Sequence, residues 1–294
     1  MEPDTRHIRW HAQPELTNPV MVVAFTGWND AGDAASTAVT TLIETSGAKP
    51  LAEVDPEFFT DFATVRPHVR LDEDQNRSIV WPTVGAWSAS LPGGDVIFVL
   101  GPEPALRWKL FSSEITALAL HAGCRMVISL GALLADVPHT RPVHVIGTAS
   151  DDDMVDRFDL ERSRYEGPTG IVGVLQHALT TAGLPCASLW AAVPGYAAQV
   201  PSPKAAAALI DRASQMMGTP APIGGLAADI DEYDARIEAL ISDDDDLVVH
   251  IEHLESLVDE MDDDEDDSGP IDLTESDDLL NEVERFLREH DGDN

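Results

Sequence analysis

Short, unbroken apolar runs alternate with stretches of helical period over most of the chain. VMVVAF (20–25), DVIFVL (95–100) and RMVISL (125–130) are built largely of branched and aliphatic residues, and each runs into a glycine: Gly27, Gly101 and Gly131. Runs of this kind mark parallel strands, which are buried on both faces because helices cover both sides of the sheet. Glycine at a strand end lets the backbone turn at once, and in open α/β sheets the loops beyond those ends form the crevice where ligands and partners dock. The expectation is that all three glycines close a strand and that the polar loops after them share one functional edge.

Between the runs, residues 33–44 carry Ala34, Ala38, Leu42 and Ile43 at helical spacing, with Gly47 as the stop. Leu106, Leu110, Ile115 and Leu118 repeat the pattern before Gly123, residues 171–181 repeat it before Gly183, and Pro203 opens an alanine-rich helix to about Met217. Residues 78–81, VHVIG (143–147) and SLWAAV (188–193) add further strands. The alternation predicts a three-layer α/β/α sandwich with a mainly parallel sheet and room for mixed strands at an edge.

Beyond this core, residues 226–242 and 247–261 read as two amphipathic helices, with Ile230, Tyr233, Ile237, Val248, Ile251 and Leu254 at three- and four-residue steps. They predict a helical hairpin packed on the body. DDDEDDSGP (262–270) carries too much like charge to order itself and reads as a linker. A short terminal helix is expected around Leu279, Leu280, Val283, Phe286 and Leu287, with Thr274 or Ser276 as its cap. The division is then 1–222 for the α/β/α core, 223–261 for the hairpin appendage, and 262–294 for the acidic linker and terminal helix.

Composition sharpens this division. Of 294 residues, 53 are acidic and 18 basic, a formal net charge of -35. Residues 229–294 hold 28 acidic side chains against three arginines, so the appendage and tail carry a net of -25 and the first 228 residues only -10. Nucleic acid and anionic membrane surfaces are excluded as partners, because such binding needs a basic footprint that displaces counterions. No run approaches the ~20 apolar residues of a membrane span, and the first ten residues lack the apolar core of a signal peptide, so a cytoplasmic protein is expected. Cys124 and Cys186 have no CxxC spacing and read as buried free thiols rather than a disulfide or zinc site.

Candidate chemistry collects in the loops. Asp30 and Asp33 flank Gly32 between a strand and a helix, where they either act as ligand or acid–base groups or cap the helix. Capping is the favoured reading, with Trp28 as packing. Glu103, set between Pro102 and Pro104, is a rigidly held ligand group or an exposed loop residue. Asp136, His139 and Arg141 in ADVPHTRP bring an acid, an imidazole and a fixed cation within six positions, the best site candidate in the chain. The structural alternative is an Arg141–Asp136 pair locking the loop, with His139 bonded to a backbone carbonyl. EGPTG (166–170) reads as a turn before a helix. No GxSxG, HExxH or GxGxxG motif occurs, and neither metal nor cofactor is expected.

FTGWNDAGDAAS, VLGPEPALRW, SLGALLADVPHTRP, YEGPTGIVGVL and SLWAAVPGYAAQVPSPKA, in that order, resemble the successive signatures of the proteasome assembly chaperone 2 family in its bacterial and archaeal branch. The resemblance spans about residues 15–260. It implies an α/β/α fold similar to that of purine nucleoside phosphorylases, homo-oligomers with trimers among them, and, by analogy with eukaryotic members that bind proteasome α subunits, a proteasome-related partner. Tyr196, in the PGYAAQ motif, joins the candidate ligand or interface residues on this basis. Two departures stand out. Gly195 occupies a position where relatives usually carry histidine, and the sequence ends Asp-Gly-Asp-Asn instead of the hydrophobic-Tyr-X terminus by which some archaeal members reach the proteasome.

The reading is therefore a non-enzymatic, assembly-chaperone-like protein that works as a homo-oligomer, with the hairpin as an oligomer or partner surface. The alternative is a binder of, or enzyme for, nucleoside- or phosphate-type small molecules, with its pocket at the strand carboxyl ends.

Overall fold

Strand β2 (Val20–Thr26) lies in the middle of an eight-stranded sheet, and from Met21 to Phe25 every one of its residues is fully buried. The computed structural model describes residues 5–13, 15–72, 74–220, 223–242 and 244–267. The strands, in chain order, are β1 (Ile8–Trp10), β2, β3 (Lys49–Val54), β4 (His68–Leu71), β5 (Arg77–Val80), β6 (Gly85–Leu91), β7 (Gly94–Pro102), β8 (Met126–Ala135), β9 (Val145–Ala149) and β10 (Cys186–Pro194). The large sheet has the order β1-β3-β6-β7-β2-β8-β10-β9, while β4 and β5 form a separate two-stranded ribbon.

Its four central strands, β7-β2-β8-β10, run parallel, and both margins are antiparallel. The continuous apolar runs read from the sequence fall in that parallel centre, as two-faced burial requires. Strands β3 and β6, the latter GAWSASL, give no such signal and belong to the antiparallel margin.

Helices α1 (Ala34–Ser46) and α5 (Pro203–Met217) cover one face of the sheet. Helices α2 (Trp108–His121) and α4 (Ile171–Thr181) cover the other. The two cores meet only through the sheet: Val20, Val22 and Ala24 of β2 point to one, Met21, Val23 and Phe25 to the other. The result is the three-layer α/β/α sandwich expected. A short helix α3 (Asp152–Phe158), absent from the sequence reading, caps itself through Asp151, whose carboxylate accepts from the Met154 amide at 3.0 Å.

Two of the three strand-ending glycines do something else. Gly27 follows β2 at φ +120°, a backbone region that favours glycine, and turns the chain as expected. Gly101 and Gly131 lie inside β7 and β8, which continue to Pro102 and Ala135. Their value is space: a Cβ on Gly101 would sit 2.6 Å from Val84 Cα, and one on Gly131 2.6 Å from the Trp190 ring.

The appendage forms α6 (Leu226–Ile241) and α7 (Asp245–Asp267). Tyr233, Ile237 and Ile241 of α6 and Ile251 of α7 close a third core over Ala197 and Val200. Helix α7 also continues through 262–267, so the start of the acidic run expected to be a linker is helical. The expected terminal helix near 279–287 lies outside the described residues.

Replacing Phe98, fully buried in β7, by alanine removes a ring from the sheet centre. The urea midpoint should fall by the equivalent of ~3–5 kcal/mol with the slope of the transition unchanged.

Candidate functional site at the strand ends

Strands β2, β7, β8 and β10 end side by side at Thr26, Pro102, Ala135 and Pro194, and every candidate residue read from the sequence lies in a loop beyond one of them. The loops fall into two groups.

In the first group, the turn after β2 is pinned from within. Asn29 donates its Nδ2 hydrogen to the Phe25 carbonyl at 2.8 Å, and the Ala132 amide of β8 donates to the Asn29 carbonyl at 3.0 Å. Asp30 is 5% exposed, and its Oδ1 accepts from the Ala35 and Ser36 amides at 2.7 and 3.1 Å. It therefore closes the start of α1, satisfying amides that have no partner inside the helix. Burial nevertheless pushes its carboxyl pKa upward. Asp33 takes a left-handed conformation at φ +51° and points into solvent.

Glu103 belongs to the same group. Its amide donates to the Thr26 carbonyl at 3.0 Å, and its Oε1 accepts from the Ile171 amide at 2.9 Å, which closes the start of α4. Burial raises its pKa as well. Trp28 lies over Gly170, where a Cβ would come within 3.1 Å of the indole. The carboxylates of Asp30 and Glu103 thus close helix starts, and Glu103 ties one loop to the next.

The second group is a seam between the loop after β8 and the helical appendage. The Tyr196 hydroxyl accepts from the His139 amide at 2.7 Å and lies 2.9 Å from His139 Nδ1, and the two rings meet edge to face. Lys204 Nζ donates to the His139 carbonyl at 2.8 Å and pairs with Asp234 of α6 at 2.8 Å. Arg141 holds both carboxylate oxygens of Asp259 on α7 at 2.7 Å and lies 3.5 Å from Glu255, which also accepts from Thr140. Burial pushes the Tyr196 phenol up to about 12; burial first, then Lys204, pushes His139 down. Arg141 is half-buried and grips the appendage through Asp259, and Asp136 lies on the surface.

The structure thus brings His139, Arg141 and Tyr196 together, brings Asp30 and Glu103 to neighbouring loops, and leaves Asp33 apart. Among the described residues, no group of three or more His, Cys, Asp or Glu is placed to hold a metal ion, and no helix is long and apolar enough to cross a membrane. Cys124 and Cys186 are free and buried, and burial lifts the Cys124 thiol to about 12.

Between α4 and the ends of β8, β9 and β10 lies a cavity of about 350 Å³, walled by Trp28, Trp190, Tyr165, Ile146 and Val172. The alternative reading of the sequence has a pocket at the strand carboxyl ends, but its candidate residues include none of these five, and Trp28 reads there as packing. The available signal was polar: Ser129, Gln176 and Ser188 each interrupt an otherwise apolar run, and in the structure they form one hydrogen-bonded chain.

A three-layer α/β scaffold, with strand-end loops braced by a helical hairpin, is the class these features define. A family model described as the PAC2 family matches residues 24–241, and the chain belongs to that family. It is similar to a PAC2 family protein from Streptomyces avermitilis, with 45% identity, a TM-score of 0.75, and coverage of 79% of this chain and 99% of that one. It is also similar to a proteasome-assembly chaperone homologue of Mycobacterium tuberculosis, with 40% identity, a TM-score of 0.71, and coverage of 79% and 99%. An archaeal proteasome activator of Pyrococcus furiosus shares the fold at 18% identity and a TM-score of 0.62, over 79% of this chain and 97% of that one. No curated protein matches the chain.

Asp30 supplies a pH-dependent test. Its folded pKa is raised, so its ionisation opposes folding: the penalty is absent well below the ordinary value of 3.8, grows as pH rises from there to the raised folded value, and is constant above it. Asp30→Asn keeps an acceptor for α1 and removes that penalty, so its stability relative to wild type should increase with pH and then level off. Asp30→Ala loses the cap and should cost ~0.5–2 kcal/mol at neutral pH. Denaturant titrations of the three proteins across the acid range check both outcomes.

Proposed function

We propose that this chain is an assembly-chaperone-like protein of the PAC2 family, acting by protein–protein contact on a proteasome-related partner, as a cytoplasmic homo-oligomer in which a trimer is the first arrangement to test. The observation that carries the reading is its 40% identity to a proteasome-assembly chaperone homologue over nearly all of that homologue's length. The chemistry of the loops supports it: Asp30, Glu103, His139, Arg141 and Tyr196 are spent on capping helices and gripping the appendage. No nucleotide, phosphate or metal enters the proposal.

The appendage takes part through its outer surface. Its inner apolar face is covered by Ala197 and Val200 of its own chain, so removing residues 226–261 would strip the body and confound any binding test. Leu240, Val249 and Leu257 face outward at 55%, 64% and 44% exposure, among the acidic side chains of α6 and α7. An exposed apolar group ringed by charge is the composition of an interface rim and core.

The test is crosslinking mass spectrometry on the native assembly recovered from its own cells, for wild type and for Leu240→Asp with Val249→Asp. Proteasome subunits or their assembly intermediates should appear as stoichiometric partners of the wild type. Recovery from the variant should fall several-fold while its thermal melting stays the same. Recovery of the homo-oligomer alone, in every case, would sink the chaperone reading.

A further inference from the structure

The cavity beside the strand ends is not a packing accident. Four glycines make room for the side chains that wall it. A Cβ on Gly131 of β8 would lie 2.6 Å from the Trp190 ring, and one on Gly170 would lie 3.1 Å from the Trp28 ring. A Cβ on Gly167 would meet the Tyr165 hydroxyl, and one on Gly173, inside α4, would meet the Thr169 hydroxyl. Glycine in a helix or strand interior weakens the element, so placing two there to seat wall residues favours the cavity over the elements. The volume, about 350 Å³, is that of a small-molecule site.

The wall is mainly apolar, with the hydroxyl-bearing side chains of Thr148, Ser163, Tyr165 and Thr169 among it, and it holds one buried polar anchor. Ser188, 2% exposed, stands 2.7 Å from the Ser129 hydroxyl on the neighbouring strand, and its Oγ donates to Gln176 Oε1 at 3.3 Å. That bond occupies the oxygen of the Gln176 amide and leaves its two Nε2 hydrogens as donors for an occupant. Charge is arranged against anions. Among the described residues, no lysine, arginine or histidine lines the cavity, and Glu103 lies behind Gly170, its Oε1 3.3 Å from where a Cβ would be. A phosphorylated or carboxylate ligand would enter an apolar space with no counter-charge and a carboxylate nearby.

We propose that this cavity is a binding site for a neutral, planar aromatic compound carrying a carbonyl or ring-nitrogen acceptor. The ring is received by the indoles of Trp28 and Trp190, and the acceptor by the Gln176 amide. The site goes beyond the chaperone reading and does not depend on it, because occupancy is measured on the isolated full chain without any protein partner.

The experiment is ligand-observed saturation-transfer NMR with 1-naphthamide and 1-naphthoate, which differ in charge and not in ring. Saturation should reach naphthamide, and naphthoate should bind at least about tenfold more weakly because its carboxylate must be desolvated without a partner. Gln176→Leu, which removes the anchor at similar size, should weaken naphthamide binding by ~5–10-fold, the loss of one hydrogen bond. Trp28→Ala removes one wall from a side chain that is already 43% exposed, so the fold tolerates it, and it should weaken binding as well. Thermal melts confirm that each variant is folded. Absence of transfer to naphthamide at millimolar concentration, equal binding of naphthoate, or binding untouched by both substitutions would each overturn the proposal.

Discussion

Burial of the central parallel strands on both faces is the constraint from which the rest of the molecule follows. Residues 21–25 of β2 have no solvent contact, so their backbone groups must bond to β7 and β8, and their side chains must pack alternately on α1 and α5 above and on α2 and α4 below. Such strands end only where the sheet ends. Their loops therefore emerge together, which is why Asn29, Glu103, His139 and Tyr196, far apart in sequence, share one edge.

That edge is unusually braced. Carboxylates that could have faced solvent close helix starts instead, Asp30 for α1 and Glu103 for α4, and the loop after β8 is held by Tyr196, Lys204 and the acids of α7. The bracing couples appendage and body: Lys204 at the start of α5 bonds both the His139 carbonyl and Asp234 of α6. Exposed pairs such as Arg141–Asp259 contribute little alone. The apolar contacts of Tyr233, Ile237 and Ile251 carry most of the seam, and the ion pairs set its register.

Legibility followed the strength of local pattern. Helix α4 occupies the same residues, 171–181, that its apolar period predicted, and β2, α1 and α5 fall within a residue or two of their expected bounds. Strands β3 and β6 were invisible because residues such as Pro50 and the Gly, Ala and Ser of GAWSASL have little strand preference of their own; pairing with β7 is what makes β6 a strand. Gly101 and Gly131 were misread as turns because a glycine needed for space and one needed for φ look alike in a sequence.

The sequence by itself determined the layered α/β class, the positions of the buried central strands, the family, and the segregation of negative charge into the carboxyl-terminal quarter, because each is written in local composition or in ordered motifs. Only the tertiary structure decided what Asp30, Glu103 and Arg141 do, and that Ser129, Gln176 and Ser188 form one hydrogen-bonded chain beside a cavity walled by Trp28 and Trp190. Those facts depend on which strands and helices lie side by side, and the pairing of β8 with β10 joins residues almost sixty positions apart through backbone bonds that no local pattern specifies.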